Sequence, residues 1–222
     1  MTKKEERELK KQQKLEAELL RLEGMTVYEK EYAAHGRICG IDEVGRGPLA
    51  GPVVAGAVIL PPDCRILYLN DSKKLTERRR ELLYDEIMEK AVAVGIGVVS
   101  QEMIDEINIL QATYEAMRQA VGKLSVRPDV LLNDAVTIPG LLQEQIPIIK
   151  GDAKSLSIAA ASVVAKVTRD RMMEALDEKY PAYHFASNKG YGSAHMAALR
   201  EYGPCPLHRR TFIRNICGEQ SS

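Results

Sequence analysis

The stretch GIDEVGRGPLAGPVVAGAVIL, residues 40–60 of this 222-residue chain, restricts the possible folds more than any other. Asp42 and Glu43 stand side by side where an apolar lead-in meets a glycine-rich turn, and a second apolar run follows. Carboxylates at the end of a core strand are costly to desolvate unless positive charge meets them. A fold that accepts this stretch has to bring the strand end to a place where cations gather. Neighbours on a regular strand face opposite ways, so Asp42 and Glu43 share one site only if the strand twists or ends there; Gly45 and Gly47 allow that.

The apolar periodicity around this stretch predicts strands over residues 38–44 and 53–60, the second bounded by Pro52 and by Pro61-Pro62, and their short spacing predicts a hairpin. A helix starts at Thr76, with Glu77 behind it. VAVGIGVVS reads as a third strand, residues 101–124 as a helix in two pieces near Asn108, DVLLND as a short buried strand and IPIIK as another. Residues 155–180 read as a helix whose first half, SIAAASVVAK, is small enough for close packing on a sheet. The loop SNKGYGS, a helix over 194–202 and an irregular basic tail complete the chain. Strands alternating with helices after a hairpin predict an α/β fold: a mixed central sheet flanked by helices, with a helical C-terminal part. Residues 3–23 form a charged helix with a thin leucine stripe, ended by Gly24. The expected organisation is a charged N-terminal helical extension, 1–36, and one domain, 37–222.

Three apolar stretches end in acid: CGIDE in Asp42 and Glu43, VLLND in Asp134, and IPIIKGD in Asp152. Strand ends are where sites assemble in open α/β sheets. Four carboxylates in one place repel one another unless cations neutralise them. Oxygen ligands without Cys or His suit Mg²⁺ or Mn²⁺, and two such ions about 3.5–4 Å apart serve in-line displacement at phosphorus. For any single acid, solvation of a strand end explains its place as well; the four together with the glycine turn point to a metal site. The four cysteines, Cys39, Cys64, Cys205 and Cys217, have no zinc spacing and read as reduced thiols. The formal net charge of zero speaks against coating nucleic acid by bulk charge but allows a local basic groove, and the last third of the chain collects Lys150, Lys154, Lys166, Arg169, Arg171, Lys189, Arg209, Arg210 and Arg214. No run reaches the ~18 apolar residues of a membrane helix, and the N-terminus has no apolar core of a secretory signal, so the expected location is the cytoplasm.

With GIDEVGRGPLAGPVVAGAVIL, NDSKKLTERRREL, LLND, KGDAKSLSIAAASVVAKVTRDR and NKGYGSAHMAALREYGPCPLHRRTF in this order over residues 37–214, the chain resembles the ribonuclease HII family. The resemblance implies a ribonuclease H-like fold and hydrolysis of RNA paired with DNA, with a cut 5′ of a ribonucleotide that leaves a 3′-hydroxyl and a 5′-phosphate. RNA–DNA hybrids and duplex DNA carrying single ribonucleotides are the implied partners, Mn²⁺ or Mg²⁺ the implied cofactor, and a monomer the implied state. The catalytic, metal-holding quartet would be Asp42, Glu43, Asp134 and Asp152. Gly45, Arg46 and Gly47 would read the 2′-hydroxyl, partly through the backbone, and Tyr191 would pack on the neighbouring sugar. The residues by themselves agree: the 2′-hydroxyl separates RNA from DNA, and glycine lets a backbone approach a ligand. Tyr191 also reads as a surface tyrosine over the core. Lys154 and Ser155, at a helix start beside Asp152, suit a phosphate, with simple capping by Ser155 equally open. Lys73 matches a family motif, and a solvated turn explains it nearly as well. Asp170 is read as an ion-pair partner inside its helix or the core. Asn133-Asp134-Ala135 departs from the commoner Val-Asp-Gly. The segment before Gly36 is short for the substrate-binding domain of the related ribonuclease HIII group. The rivals are another ribonuclease H-like nuclease, which has no need of the Gly-Arg-Gly and Gly-Tyr-Gly elements, and a non-catalytic hybrid-binding module, which has no need of all four acids.

Overall fold

The computed structural model describes residues 2–217. Five strands, β1 (Ile38–Val44), β2 (Val53–Ile59), β3 (Ala93–Val99), β4 (Val130–Asp134) and β5 (Glu144–Ile148), form one mixed sheet in the order β3-β2-β1-β4-β5. β1, β2 and β3 are antiparallel neighbours, as the hairpin reading requires, while β4 runs parallel to both β1 and β5. Ile41 pairs with Asn133, so Asp42 and Asp134 leave adjacent parallel strands at the same level.

The helices are α1 (Lys3–Gly24), α2 (Val27–Glu31), α3 (Glu77–Lys90), α4 (Gln101–Gly122), α5 (Leu156–Asp177), α6 (Phe185–Asn188), α7 (Gly192–Tyr202) and α8 (Arg210–Cys217). One face of the sheet packs on α4, whose Ala112, Ala116, Met117 and Ala120 meet Cys39, Ile41, Ala55 and Leu131. The other packs on α5, whose Ala160, Ala161 and Val164 share a core with Val58, Leu83 and Ile87. Small residues make both contacts close: a Cβ on Gly56 would lie 2.5 Å from the Ala161 carbonyl oxygen, and one on Gly97 only 1.8 Å from that of Ala116. α4 is broken at Asn108, where φ is 67°, and the Asn108 side chain accepts from the Leu110 and Gln111 amides at 3.0 and 3.1 Å to restart the helix.

Three sequence expectations change. β5 lies two residues earlier than IPIIK, because Lys150 turns the chain at φ 59° and Ile149 is exposed. α1 is exposed in its first half, but its last turns join the core. Leu22 and Met25 are buried, Glu18 accepts from the Tyr68 amide at 2.6 Å, and Arg21 donates to the Leu69 carbonyl at 2.7 Å. Two members of the C-terminal cation group, Arg169 and Arg209, are fully buried and so line no open groove. Asp170 behaves as expected, 2.6 Å from Lys166 Nζ and 3.6 Å from Arg80 Nη2, which ties α5 to α3. Among the described residues no helix is long and apolar enough to cross a membrane.

The glycine contacts carry a stability test. Gly97→Ala would drive a methyl into the α4 backbone and is expected to lose at least ~1–3 kcal/mol by urea unfolding. Gly122→Ala, with nothing within 4 Å of its Cβ position, is the matched control, and no loss is expected there.

Candidate active site

The C-terminal ends of β1 and β4 and the turn after β5 bring four carboxylates to one cleft. Asp42 is buried at 7% exposure, and Glu43, Asp134 and Asp152 are half-buried. Burial, followed by the nearby Glu43 and Asp134 charges, pushes the Asp42 carboxyl well above the usual range. Burial also raises Glu43 against the opposing pull of Arg46, with Asp134 adding to the rise. Asp152 is raised by burial, then by Asp71 and Asp134. The Asp42 Oδ1 accepts from the Glu43 amide at 2.8 Å, and the Asp134 Oδ1 accepts from the Gly151 amide at 2.7 Å, which draws the Asp152 turn onto β4. Among the described residues, no three acid, His or Cys side chains converge on one point at metal-ligand reach. The site is oxygen-only, partly desolvated and short of positive charge, and that donor chemistry fits hard divalent cations.

Lys73 is brought into the cleft. Desolvation alone would lower its ammonium, but Asp42, Asp71, Asp152 and Glu43 outweigh it and raise it. Asp71 is a fifth acid that the sequence reading passed over. It caps the turn by accepting from the Lys73 amide at 2.9 Å, and its proximity to Asp152 was invisible before the chain folded. Ser162 of α5, read only as a small packing residue, acts against that rise of the Asp42 carboxyl and donates its hydroxyl to Ser72 Oγ at 2.9 Å. Ser155 is a correction: it is fully buried, and its hydroxyl donates to Glu29 at 2.6 Å while accepting from the Ile158 amide at 3.2 Å. It caps α5 and has no surface to offer a phosphate. Lys154 is exposed beside Asp152. Ala135 takes φ 57°, the left-handed region that glycine enters freely and that costs an L residue roughly 1–2 kcal/mol.

The Gly-Arg-Gly stretch and Tyr191 meet beside the acids. Arg46 Nη1 lies 3.3 Å from Glu43 Oε1. A Cβ on Gly47 would stand 3.6 Å from the Tyr191 ring, and Leu49 donates its amide to Gly190 at 3.0 Å. Gly47 and Tyr191 are both exposed, whereas Gly45 is buried at φ 93°, and its missing side chain makes room for Arg169. The glycine at 45 therefore serves packing, and only Gly47 offers bare backbone to a ligand.

Two buried guanidiniums set this loop. Arg209 donates to the carbonyls of Gly45, Arg46 and Gly51, and Arg169 to those of Ala50, Pro52 and Lys189. The loop that carries Arg209 is held in turn by a buried histidine pair. The Cys205 amide donates to His208 Nδ1 at 2.9 Å, which places the His208 proton on Nε2, 3.2 Å from His195 Nε2. His195 then directs its Nδ1 toward the Tyr183 carbonyl, at 3.5 Å. Burial first, and then the neighbouring His195, lowers His208 to about 4. Sequence reasoning missed both histidines and both arginines as positioning groups; the only signal was their place in a stretch rich in basic residues.

A family model described as Ribonuclease HII matches residues 39–215. A ribonuclease HII of Lachnoclostridium phytofermentans is 66% identical over 205 residues, covering 92% of this chain and 81% of the relative. The structure of ribonuclease H2 from Pyrococcus horikoshii aligns with a TM-score of 0.69 at 30% identity, over 83% of this chain and 98% of that one. Bst-RNase HIII in complex with Mn²⁺ shares the fold at a TM-score of 0.55 and 16% identity, over 76% and 63% of the two chains.

Arg209→Lys keeps the charge but loses the planar fork, so kcat/KM on an RNA–DNA hybrid is expected to fall at least roughly tenfold, together with the urea midpoint. The histidine pair predicts an acid limit to stability. An unfolded histidine titrates near 6.5 and the folded His208 near 4. Stability from this group is therefore intact above the unfolded value and declines as pH falls through that window. Thermal melts between those pH values are expected to drop less steeply for His208→Gln than for the unaltered chain.

Proposed function

Because this chain belongs to the ribonuclease HII family, an endoribonuclease family acting on RNA–DNA hybrids, we propose that its acid cleft also incises duplex DNA 5′ of a single embedded ribonucleotide, with Asp42, Glu43, Asp134 and Asp152 holding two divalent ions. The observation that carries the proposal is the burial and mutual repulsion of these acids directly beside exposed Gly47 and Tyr191. Divalent cations held there would supply an activated water and neutralise charge at the scissile phosphate. Oxygen-only ligands suit Mg²⁺ and Mn²⁺ alike.

The chain's own groups do the rest. Asp42, level with Asp134 on the neighbouring strand, is the most buried of the four acids. Lys73 keeps its proton among the acids and is placed to donate to a phosphate oxygen. The bare backbone at Gly47 and the neighbouring Arg46 address the ribose 2′-hydroxyl, and the Tyr191 face packs on the adjoining sugar. Cleavage on the 5′ side leaves a 3′-hydroxyl and a 5′-phosphate. Such a cut opens ribonucleotide removal from replicated DNA, in the cytoplasm and by a monomer.

The test is cleavage of a labelled DNA duplex carrying one ribonucleotide, beside an all-DNA duplex, with Mg²⁺, Mn²⁺ or EDTA. A metal-dependent cut 5′ of the ribonucleotide and none in the control is expected. Asp134→Asn is expected to lose at least about 3 orders of magnitude in kcat with the fold retained, a loss of the size that direct catalytic groups produce. Near-normal activity in that variant would overturn the metal assignment, and tight binding without any cut would point to a binding module.

A further inference from the structure

The exposed half of α1 sorts its charges by side. At 100° per residue, Lys3, Lys4, Arg7, Lys10, Lys11 and Lys14 fall within one arc of about 120°, while Glu5, Glu6, Glu8 and Glu16 lie outside it. All six cations are exposed, and five of them line one shallow surface depression together with Glu8. Lys11 reaches Glu8 at 3.8 Å with both side chains open to water; among the described residues the other five make no ion pair. The acids in the first turn have their own explanation, since Glu5 closes a capping box with Thr2 and both Glu5 and Glu6 suit the helix N-terminus. The cations have no such local role.

The direction of the arc gives it meaning. Glu18 falls within the same arc and Leu22 on its border, and these are the α1 positions buried against the body. The basic stripe therefore continues, N-terminal to that contact, the side of α1 that rests on Tyr68 and Leu69. Lys73, in the acid cleft, follows Leu69 by only four residues, a separation of at most ~14 Å. From Glu18 to Lys3 the helix reaches a further ~22 Å. A duplex bears one phosphate charge per ~1.7 Å of axis, so a duplex seated in the cleft and running past this edge presents several phosphates to the stripe.

We propose that the basic face of α1 is a second, sequence-independent contact to the phosphate backbone of the substrate duplex, outside the reading site and away from the chemistry. The inference rests on the cleft taking a duplex, but its test needs no cleavage. The contact is blind to the sugar, so it strengthens binding to hybrid and all-DNA duplex alike.

The experiment is fluorescence anisotropy of a labelled hybrid and a labelled all-DNA duplex in EDTA, over a series of NaCl concentrations. The full chain is compared with a variant in which all six cations are Gln and with one in which the five lysines are Arg. Gln sustains a helix, and far-ultraviolet circular dichroism checks that it does. The Gln variant is expected to bind both duplexes at least roughly tenfold more weakly, with the slope of log Kd against log salt reduced by roughly 2 to 5, and the Arg variant to keep the original slope. Under saturating hybrid with metal, kcat is expected to stay within about twofold, because the stripe touches no reacting group. Unchanged Kd and slope in the Gln variant would overturn the proposal. So would loss of co-sedimentation with phosphatidylglycerol vesicles while duplex binding stays intact, which would assign the stripe to a membrane surface. A chain that never cleaves yet shows the salt effect leaves this contact standing and removes only the catalytic reading.

Discussion

Two guanidinium groups with no exposure to solvent, Arg169 and Arg209, hold the working end of this molecule together. Among the described residues, neither makes an ion pair with a carboxylate. Each instead spreads its charge over backbone carbonyls, three apiece, and all but one of those carbonyls belong to the loop that joins β1 to β2. Burial pulls both groups down, Arg209 to about 9, which leaves it charged at neutral pH. Only arginine combines a persistent charge with a planar fork of donors wide enough for this task. An eight-residue connection rich in glycine would otherwise be loose, and the exposed backbone at Gly47 would have no fixed position relative to Glu43 or Tyr191.

The clamp couples three separated parts of the chain. Arg169 comes from the middle of α5, the same helix whose Ser162 meets Asp42. Arg209 comes from the segment between α7 and α8, fixed by the neutral His195–His208 pair and by backbone bonds from Gly51 to Leu207 and from Arg209 to Leu49. Tyr191 stands where these parts meet, its ring centroid 5.7 Å from the Arg169 guanidinium. The Gly-Arg-Gly loop, Tyr191 and the acids thus share one frame with preorganised geometry.

The cleft stores the opposite imbalance. Burial and like charge raise Asp42, Glu43 and Asp152, and among the described residues the ammonium that these acids raise is that of Lys73. Positive charge is locked beneath the Gly-Arg-Gly loop while negative charge is gathered a few residues away, and under the proposed function a phosphodiester with divalent cations would satisfy both.

The sequence alone carried the elements and the acids. Apolar periodicity, Pro52, Pro61-Pro62, the Thr76 cap and the break at Asn108 are local signals, and local signals survive without tertiary context. Asp42, Glu43 and Asp134 were legible because acid at the end of an apolar run is costly wherever the chain goes. Tertiary structure decided what local chemistry could not. Arginines that read as a basic groove became buried clamps, Ser155 became a cap, Asp71 joined the acids, and the last turns of α1 joined the core. Each of these depends on which carbonyl, carboxylate or apolar surface arrives from a distant part of the chain. A side chain's type states what it can bond; only the fold determines whether water or another segment takes that bond.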